Sequence, residues 1–377
     1  TFNNVFSGWS TEYWSLNSDK YFPLLLNDNT ENYYIIDDVE DFYVLINNPD
    51  GNYKIVEDID LSSWCANNSS NFVFNIDFTG ILIGEKENNE IPVLSGLSVN
   101  TVDAGDAGLF RSTNDATIRN IAFNWSNKYS RDGNTYSIQL NSNIGMIGAV
   151  SADDTQSLFS NLTVNVEADS LVVTSSSSSI SGFGGIVANA QGSNIMNCTF
   201  VGSVNSYLQS TDAIYFGGLV GRASMYVTSE SEDENMSIMN SSVGRNGANV
   251  NFELTISSNS TGEVYIGGAV GYAEETTISS IRVGHYSYTS NRRINISVNL
   301  NDCMTNNYVG GLLGRGSETQ VSSCDVLTNI NVYGTERTEG DGTNTTTRMN
   351  IIGGLIGQYV LSSESSININ SSNTESY

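Results

Sequence analysis

Apolar and polar residues alternate along most of this chain, and glycines interrupt the alternation at recurring places. "GFGGIVANA" at Gly182, "YFGGLVGRA" at Tyr215, "YIGGAVGYA" at Tyr265, "YVGGLLGRG" at Tyr308 and "IIGGLIGQY" at Ile351 are near copies of one another. "DAGLFRS" at Asp106 and "MIGAVSA" at Met146 are looser copies. Alternation with period two marks strands, and a recurring block marks stacked structural units. The second glycine of each copy serves as a register mark: Gly108, Gly148, Gly185, Gly218, Gly268, Gly311 and Gly354. The marks lie about 33 to 50 residues apart, a spacing that suits coils carrying loop insertions.

The alignment extends beyond the glycines. Thirteen residues after the mark stand Ile121, Cys198, Ile281, Cys324 and Ile367, with Leu162 and Ser241 in the same place after small insertions. Two further on stand Phe123, Val164, Phe200, Val243, Val283, Val326 and Ile369. Three before stand Ile118, Phe159, Ile195, Ile238, Ile278 and Val321, and the last copy breaks this column with Glu364. Positions two apart share a strand face, whereas positions three apart share one only across a bend. The bend holds Asn120, Asn161, Asn197 and Asn240, then Ser280, Ser323 and Ser366. Asparagine tolerates left-handed backbone, so these residues predict a polar ladder along one corner.

A third strand is typified by "VNFELTI", "INISVNL" and "NINVYG". Three inward strand faces per coil, stacked on like neighbours, predict an all-β fold, a single-stranded parallel β-helix or β-solenoid. Its glycines sit where a Cβ would obstruct a turn or the next coil. Residues 1–60 read as an N-terminal cap region and residues 61–377 as the β-helix. Within the cap, "IDDVEDFYVLINNPDG" predicts an amphipathic helix with Val39, Phe42, Tyr43 and Ile46 on one face, Asp38 as N-cap, and Pro49 to Gly51 as its stop. Such a helix would shield the first coil's open edge. Past Ile369 no second cover is visible.

The "GGLVG", "GGLLG" and "GGLIG" blocks, the "DAGLF…ATIRNIAF" segment and the lead-in "YKIVEDIDL" with "FTGILIG" resemble the GLUG-motif family of secreted and surface, adhesin-like proteins. The resemblance spans about Ile35 to Ile369. It implies a right-handed β-helix and an extracellular or cell-surface address, and it implies no catalytic set.

Composition narrows the partners. A formal charge of −26 argues against nucleic acid and anionic membranes, which need basic footprints. No apolar run is long enough to span a bilayer. The acidity invites Ca²⁺, but no D-x-[DN]-x-[DN]-G loop exists, so no cofactor is assigned; "SESEDEN" at Ser229 reads as a solvated loop. Polysaccharide lyase or hydrolase chemistry would draw on Asp153, Asp154, His285, Arg292 and Arg293. The aspartates lie more than two coils from the histidine, too far for one constellation, and the chain is expected not to be an enzyme.

Cys198 and Cys324 share the inward column of Ile121 and Ile281, so they read as small buried hydrophobes; Cys65 and Cys303 stay unassigned. Sequons occur at Asn67, Asn68, Asn124, Asn161, Asn197, Asn235, Asn240, Asn259, Asn295, Asn344 and Asn370. Asn161, Asn197 and Asn240 fall in the ladder and are expected to stay bare, while Asn259 and Asn344 lie in loops. The leading expectation is a surface rod that assembles with itself. Beside it stands an adhesin that binds glycan or protein through loops along one edge.

Overall fold

The structure is a computed structural model that describes residues 33–68, 70–99, 106–126, 143–151, 157–166, 171–177, 181–225, 236–244, 250–284, 293–300, 305–334 and 350–360. It also describes short strands at 14–15, 24–25, 129–131, 134–136, 138–139, 338–339, 346–347, 369–370 and 373–376. The described residues are all-β apart from two six-residue helices, Phe42–Asn47 and Ser62–Asn67.

Consecutive copies pair strand to strand, and every such pairing is parallel. One sheet carries the glycine blocks: Phe72–Phe78, Ala107–Thr113 and Asn143–Ser151 lead to Ser181–Gly184 with Val187–Gln191. It continues through Ala213–Gly217 with Val220–Ser224, Glu263–Gly267 with Val270–Glu274, Asn307–Gly310 with Leu313–Ser317, and Asn350–Gly353 with Ile356–Val360. A second ladder starts at Tyr34–Ile36 and passes through Asn52–Ile55, Ile81–Gly84, Thr117–Trp125 and Leu158–Val166 to Ile369–Asn370. The third-strand segments pair as Leu171–Ser177, Val204–Ser210, Asn251–Ile256, Ile294–Asn299 and Asp325–Tyr333. These last two ladders join into one nearly closed sheet. Among the described residues the antiparallel pairs are Trp14–Ser15 with Leu24–Leu25, ahead of the copies, and Tyr129–Arg131 with Asn134–Tyr136 and Thr338–Glu339 with Thr346–Thr347, inside insertions.

The apolar columns face a single continuous core. Ile118, Phe159, Ile195, Ile238, Ile278 and Val321 are buried, as are Ile121, Leu162, Cys198, Ile281 and Cys324. Ser241 takes its place in the second column because its hydroxyl accepts from Cys198 N–H at 3.0 Å and donates to Met239 O at 2.8 Å, so that this buried hydroxyl is satisfied. Cys65, Cys198 and Cys324 are buried; burial pushes the Cys198 thiol up to about 12. Cys303 lies outside the described residues.

The corner between the two apolar columns is left-handed in every described copy. Asn120, Asn161, Asn197, Asn240, Ser280 and Ser323 have φ between 50° and 59°. Asn161 Nδ2 donates to Asn120 Oδ1 at 2.9 Å. Further along, the backbone makes the rungs: Asn197 N–H reaches Met239 O, and Asn240 N–H reaches Ser279 O, each at 3.1 Å. A second left-handed corner, at Asp115, Glu275, Glu318 and Gly192, precedes the ladder strand and was not anticipated.

The glycines are demanded by close approach, each in its own direction. In one copy, a Cβ on Gly217 would strike the Val220 carbonyl of its own coil, one on Gly218 the Gly268 carbonyl of the next coil, and one on Gly221 the Ala188 carbonyl of the previous coil.

The structure corrects several sequence expectations. Gly108 and Gly148 are not in the column of Gly185. Gly108 pairs with Gly145 and Gly145 with Gly184, the first glycine of the block, whereas Gly148 pairs with Val187. Met146 therefore holds the second-glycine place in its copy. The last copy carries five extra residues before its ladder strand, so Ile369 pairs with Val321, not Val326. Ser366, expected at the corner, lies outside the described residues. Pairing also continues beyond Ile369, because Asn373–Ser376 pairs with Asp325–Thr328. The N-terminal helix is shorter than expected. Asp41, the residue before it, makes no side-chain cap hydrogen bond, whereas the Asp38 carboxylate accepts the Asp41 N–H at 3.2 Å; the helix buries Phe42 and Leu45, while Tyr43 points to solvent.

Candidate functional site

On the strands of the glycine sheet, inward and outward residues alternate. Ile214 and Phe216 face the core, so Tyr215 between them faces out, as do Tyr265 and Tyr308 in the same register. These tyrosines belong to an apolar cluster separate from the core, packed with Ala213, Tyr272 and Ile351. Tyr215 stacks on Tyr265 at 5.2 Å between ring centroids, and Tyr265 on Tyr308 at 5.3 Å, each pair tilted by only 9°. The spacing is that of neighbouring strands plus a slight lean.

A polar column runs beside the tyrosines: Asn189, Arg222, Tyr272, Arg315 and Gln358 pair in sequence. The Arg315 guanidinium lies over the rings of Tyr265 and Tyr308, at 5.7 and 5.3 Å, a cation–π arrangement. Its Nη1 donates to Tyr265 Oη at 3.1 Å and to Glu263 Oε2 at 3.3 Å. Glu263 also accepts the hydroxyls of Tyr265 and of Tyr308, the latter at 3.0 Å. Burial works against the Glu263 carboxylate. The two phenols and the Arg315 charge outweigh it and hold its pKa below the usual carboxylate value. Burial, and then the neighbouring carboxylate, push both phenols well above their ordinary range. Arg222 lies over Tyr215 at 5.8 Å.

The sequence reading passed over this cluster, although Tyr215, Tyr265 and Tyr308 stand at one place in three glycine blocks. Of the residues weighed for catalysis, Asp153, Asp154, His285 and Arg292 lie outside the described residues, as do "SESEDEN" and most loops considered for adhesion. Arg293 immediately precedes the strand Ile294–Asn299. One acidic group converges among the described residues: Asp37, Asp38 and Asp41, with carboxylate oxygens within 4.8 Å of one another. Asp41 accepts Tyr34 Oη–H and Asp37 N–H, and Asp38 accepts Asp41 N–H. These bonds tie the turn into the first helix.

The sequons separate by what their amides already do. Asn68 Nδ2 donates to Phe72 O and Val73 O, and Asn67 Nδ2 to Ser63 O. Asn295 belongs to an asparagine ladder that was not anticipated: its Nδ2 donates to Asn251 Oδ1 at 2.7 Å and its Oδ1 accepts Asn329 Nδ2 at 2.9 Å. Asn124 accepts Asn165 Nδ2 at 2.9 Å in another such ladder. Asn259 is exposed in a turn. Asn235 and Asn344 fall outside the described residues, and for Asn370 only the backbone is described.

No protein-family model and no curated protein matches the chain. Among solved structures it is similar to one named "IgA1 Protease", with 15% sequence identity and a TM-score of 0.49 over 88% of this chain. This chain spans only 22% of that protein's length. The expectation that the chain is not an enzyme is withdrawn on this comparison, since the protein it is similar to is an enzyme by name. A likeness at that identity and score assigns no reaction and no residue to this chain.

Proposed function

We propose that the chain is an extracellular or cell-surface rod, a right-handed parallel β-helix with three strands per coil that assembles with further copies of itself. The observation that supports this reading is the continuity of the parallel ladder from Tyr34–Ile36 to Asn373–Ser376, with no antiparallel pairing between copies among the described residues. Right-handed winding is the rule for parallel crossovers in one sheet. The helix Phe42–Asn47 serves as the N-terminal cap in this reading, with Phe42 stacked on Phe74 at 4.8 Å. Kinship with the GLUG-motif proteins, carried by the glycine blocks, and the surface address it implies belong to the same proposal. No helix among the described residues is long and apolar enough to cross a membrane.

Self-assembly has a physical motive at the other edge. Among the described residues Asn350–Gly353 pairs on one side only, with Asn307–Gly310. Ile352 is 52% exposed there, while its partner Val309 is fully buried. An apolar edge strand with unpaired backbone groups invites another strand. Sedimentation velocity across a concentration series tests the reading. Oligomers that lengthen with concentration, and that Ile352→Lys suppresses, are expected; a monodisperse monomer at high concentration would refute self-assembly.

A further inference from the structure

Asn259 sits at the tip of a turn that is tied down to the copy before it. Its own copy takes six residues, Ser257 to Gly262, to pass from the strand Asn251–Ile256 to the strand Glu263–Gly267. The copy before makes the same passage in two, Thr211 and Asp212. The longer turn is pinned at both feet. Ser257 is buried; its N–H donates to Leu208 O at 2.9 Å and its hydroxyl to Gln209 Oε1 at 3.0 Å. Ser260 is buried as well, and its hydroxyl accepts Ser210 N–H at 3.2 Å. Thr261 N–H donates to Ser210 O at 3.1 Å, and Thr261 Oγ1 to Thr211 O at 3.0 Å. Between these feet Ser258 and Asn259 are exposed. The Asn259 N–H donates to Ser257 Oγ at 3.2 Å, but its side-chain amide has no partner among the described residues.

Other sequons spend or crowd their amides. Asn68 Nδ2 uses both of its hydrogens, on Phe72 O and Val73 O, and attachment of a sugar would remove one of them. Asn295 is bonded to Asn251 and Asn329 on the strands to either side. Asn161, Asn197 and Asn240 occupy successive rungs of the left-handed corner. Neighbouring strands lie about 4.8 Å apart, so a sugar on any of these four would be wedged between the side chains of adjacent rungs. Asn259 faces no matching residue in the copy before, which has no such turn.

We propose that Asn259 carries an N-linked glycan and that Asn68, Asn161, Asn197, Asn240 and Asn295 do not. The donor is a lipid-pyrophosphate-linked oligosaccharide, handled by a transferase of the secretory compartment. A bond forms from Asn259 Nδ2 to the sugar C1 and the bond from C1 to the pyrophosphate oxygen breaks. The lipid pyrophosphate leaves, and the proton that the amide gives up passes to solvent. The sequon's third residue is Thr261, whose hydroxyl is bonded to Thr211 O in the closed turn. Attachment therefore precedes closure, and the pinned turn then holds the glycan clear of the sheet. The inference rests on the extracellular or cell-surface part of the proposed function, since only a secreted chain meets that donor.

Secretion of the full chain behind a signal peptide from cultured mammalian cells tests it. Peptide-N-glycosidase digestion in heavy-oxygen water leaves a labelled aspartate wherever a glycan stood, and peptide mass spectrometry reads each position. Label is expected at position 259 and at none of 68, 161, 197, 240 and 295. Thr261→Ser keeps the sequon and should keep the label, whereas Thr261→Ala should abolish it. An unlabelled Asn259, or label at any of the other five in the secreted, folded chain, would overturn the proposal. Because the host supplies the address, an empty Asn259 there sinks this inference alone. Failure of surface biotinylation to reach the native chain on intact cells would instead sink the address on which it rests.

Discussion

The early coils and the later ones solve the same bend differently. From residue 181 onward, the first glycine and the residue three places on keep step: Gly184 and Val187 align with Gly217 and Val220, Gly267 and Val270, Gly310 and Leu313, Gly353 and Ile356. In the early coils the register slips, between Phe74 and Asp77 and again between Gly145 and Gly148. There Phe72 pairs with Gly108 in the column where later coils have only glycine. The space is filled by rings: Phe42 stacks on Phe74, and Phe78 stacks on Phe110, both at 4.8 Å. Regular stacking thus follows from paired glycines, and aromatic filling tolerates a variable bend where the coils meet the helices.

The sharpest way to break that contrast is to remove a ring from the early part. Phe74 is fully buried and also touches Phe110 and Trp64, at 5.7 and 5.9 Å. Phe74→Ala should cost about 3–5 kcal/mol. In the proposed β-helix each coil contacts only its neighbours, so hydrogen exchange should accelerate in Phe42–Asn47 and Phe72–Phe78 while Glu263–Ser317 stays protected. Uniform loss of protection would show the two regions to be one cooperative unit.

The converse test adds a methyl to the late part. Gly218→Ala forces a Cβ against the Gly268 carbonyl and the Val243 side chain, and overpacking of this kind costs about 1–3 kcal/mol. Gly148→Ala lies in the column of Phe110 and Val187, which accepts side chains, and should leave the urea midpoint nearly unchanged. Equal losses in the two variants would restore Gly148 to the column in which the sequence alone had put it.

That misplacement shows what a sequence can reveal here. The inward columns were legible because apolar side chains repeat at fixed offsets, and the corner because asparagine marks left-handed backbone. Asn197→Ala, at φ 54°, should therefore cost about 1–2 kcal/mol in thermal unfolding, and Asn197→Gly much less. Gly148 misled because a glycine looks alike whether a neighbour's backbone demands it or not, and Gly108 because a first-column glycine, set against the Gly145 carbonyl, looks like a second-column one. Glu364 looked like a broken column because an insertion of five residues had moved the last ladder strand on to Ile369. The outer tyrosines were hidden by alternation itself, since an aromatic beside "IGG" reads as core until its neighbours are known to point inward.

The smallest expected effect bears on that outer cluster, which among the described residues belongs to the late copies. The Glu263 carboxyl is held below its ordinary value of 4.5, so the folded state binds its proton less readily than the unfolded chain does. Its contribution to stability is complete above that ordinary value and is lost as pH falls through the lower, folded one. The Tyr265 and Tyr308 phenols are raised above 10.0; their share is complete below that value and is lost as pH rises beyond it. The Glu263 side chain is 40% exposed, so solvent screening limits the cost of Glu263→Gln at pH 7 to about 1 kcal/mol or less. Urea melts of the parent and Glu263→Gln should differ at pH 7, begin to approach one another below pH 4.5, the ordinary value of the carboxyl, and converge only below its lower folded value. A gap that persists in acid would assign the effect to lost packing against Tyr265 instead of to charge, and the outer ladder would then be held by its rings alone.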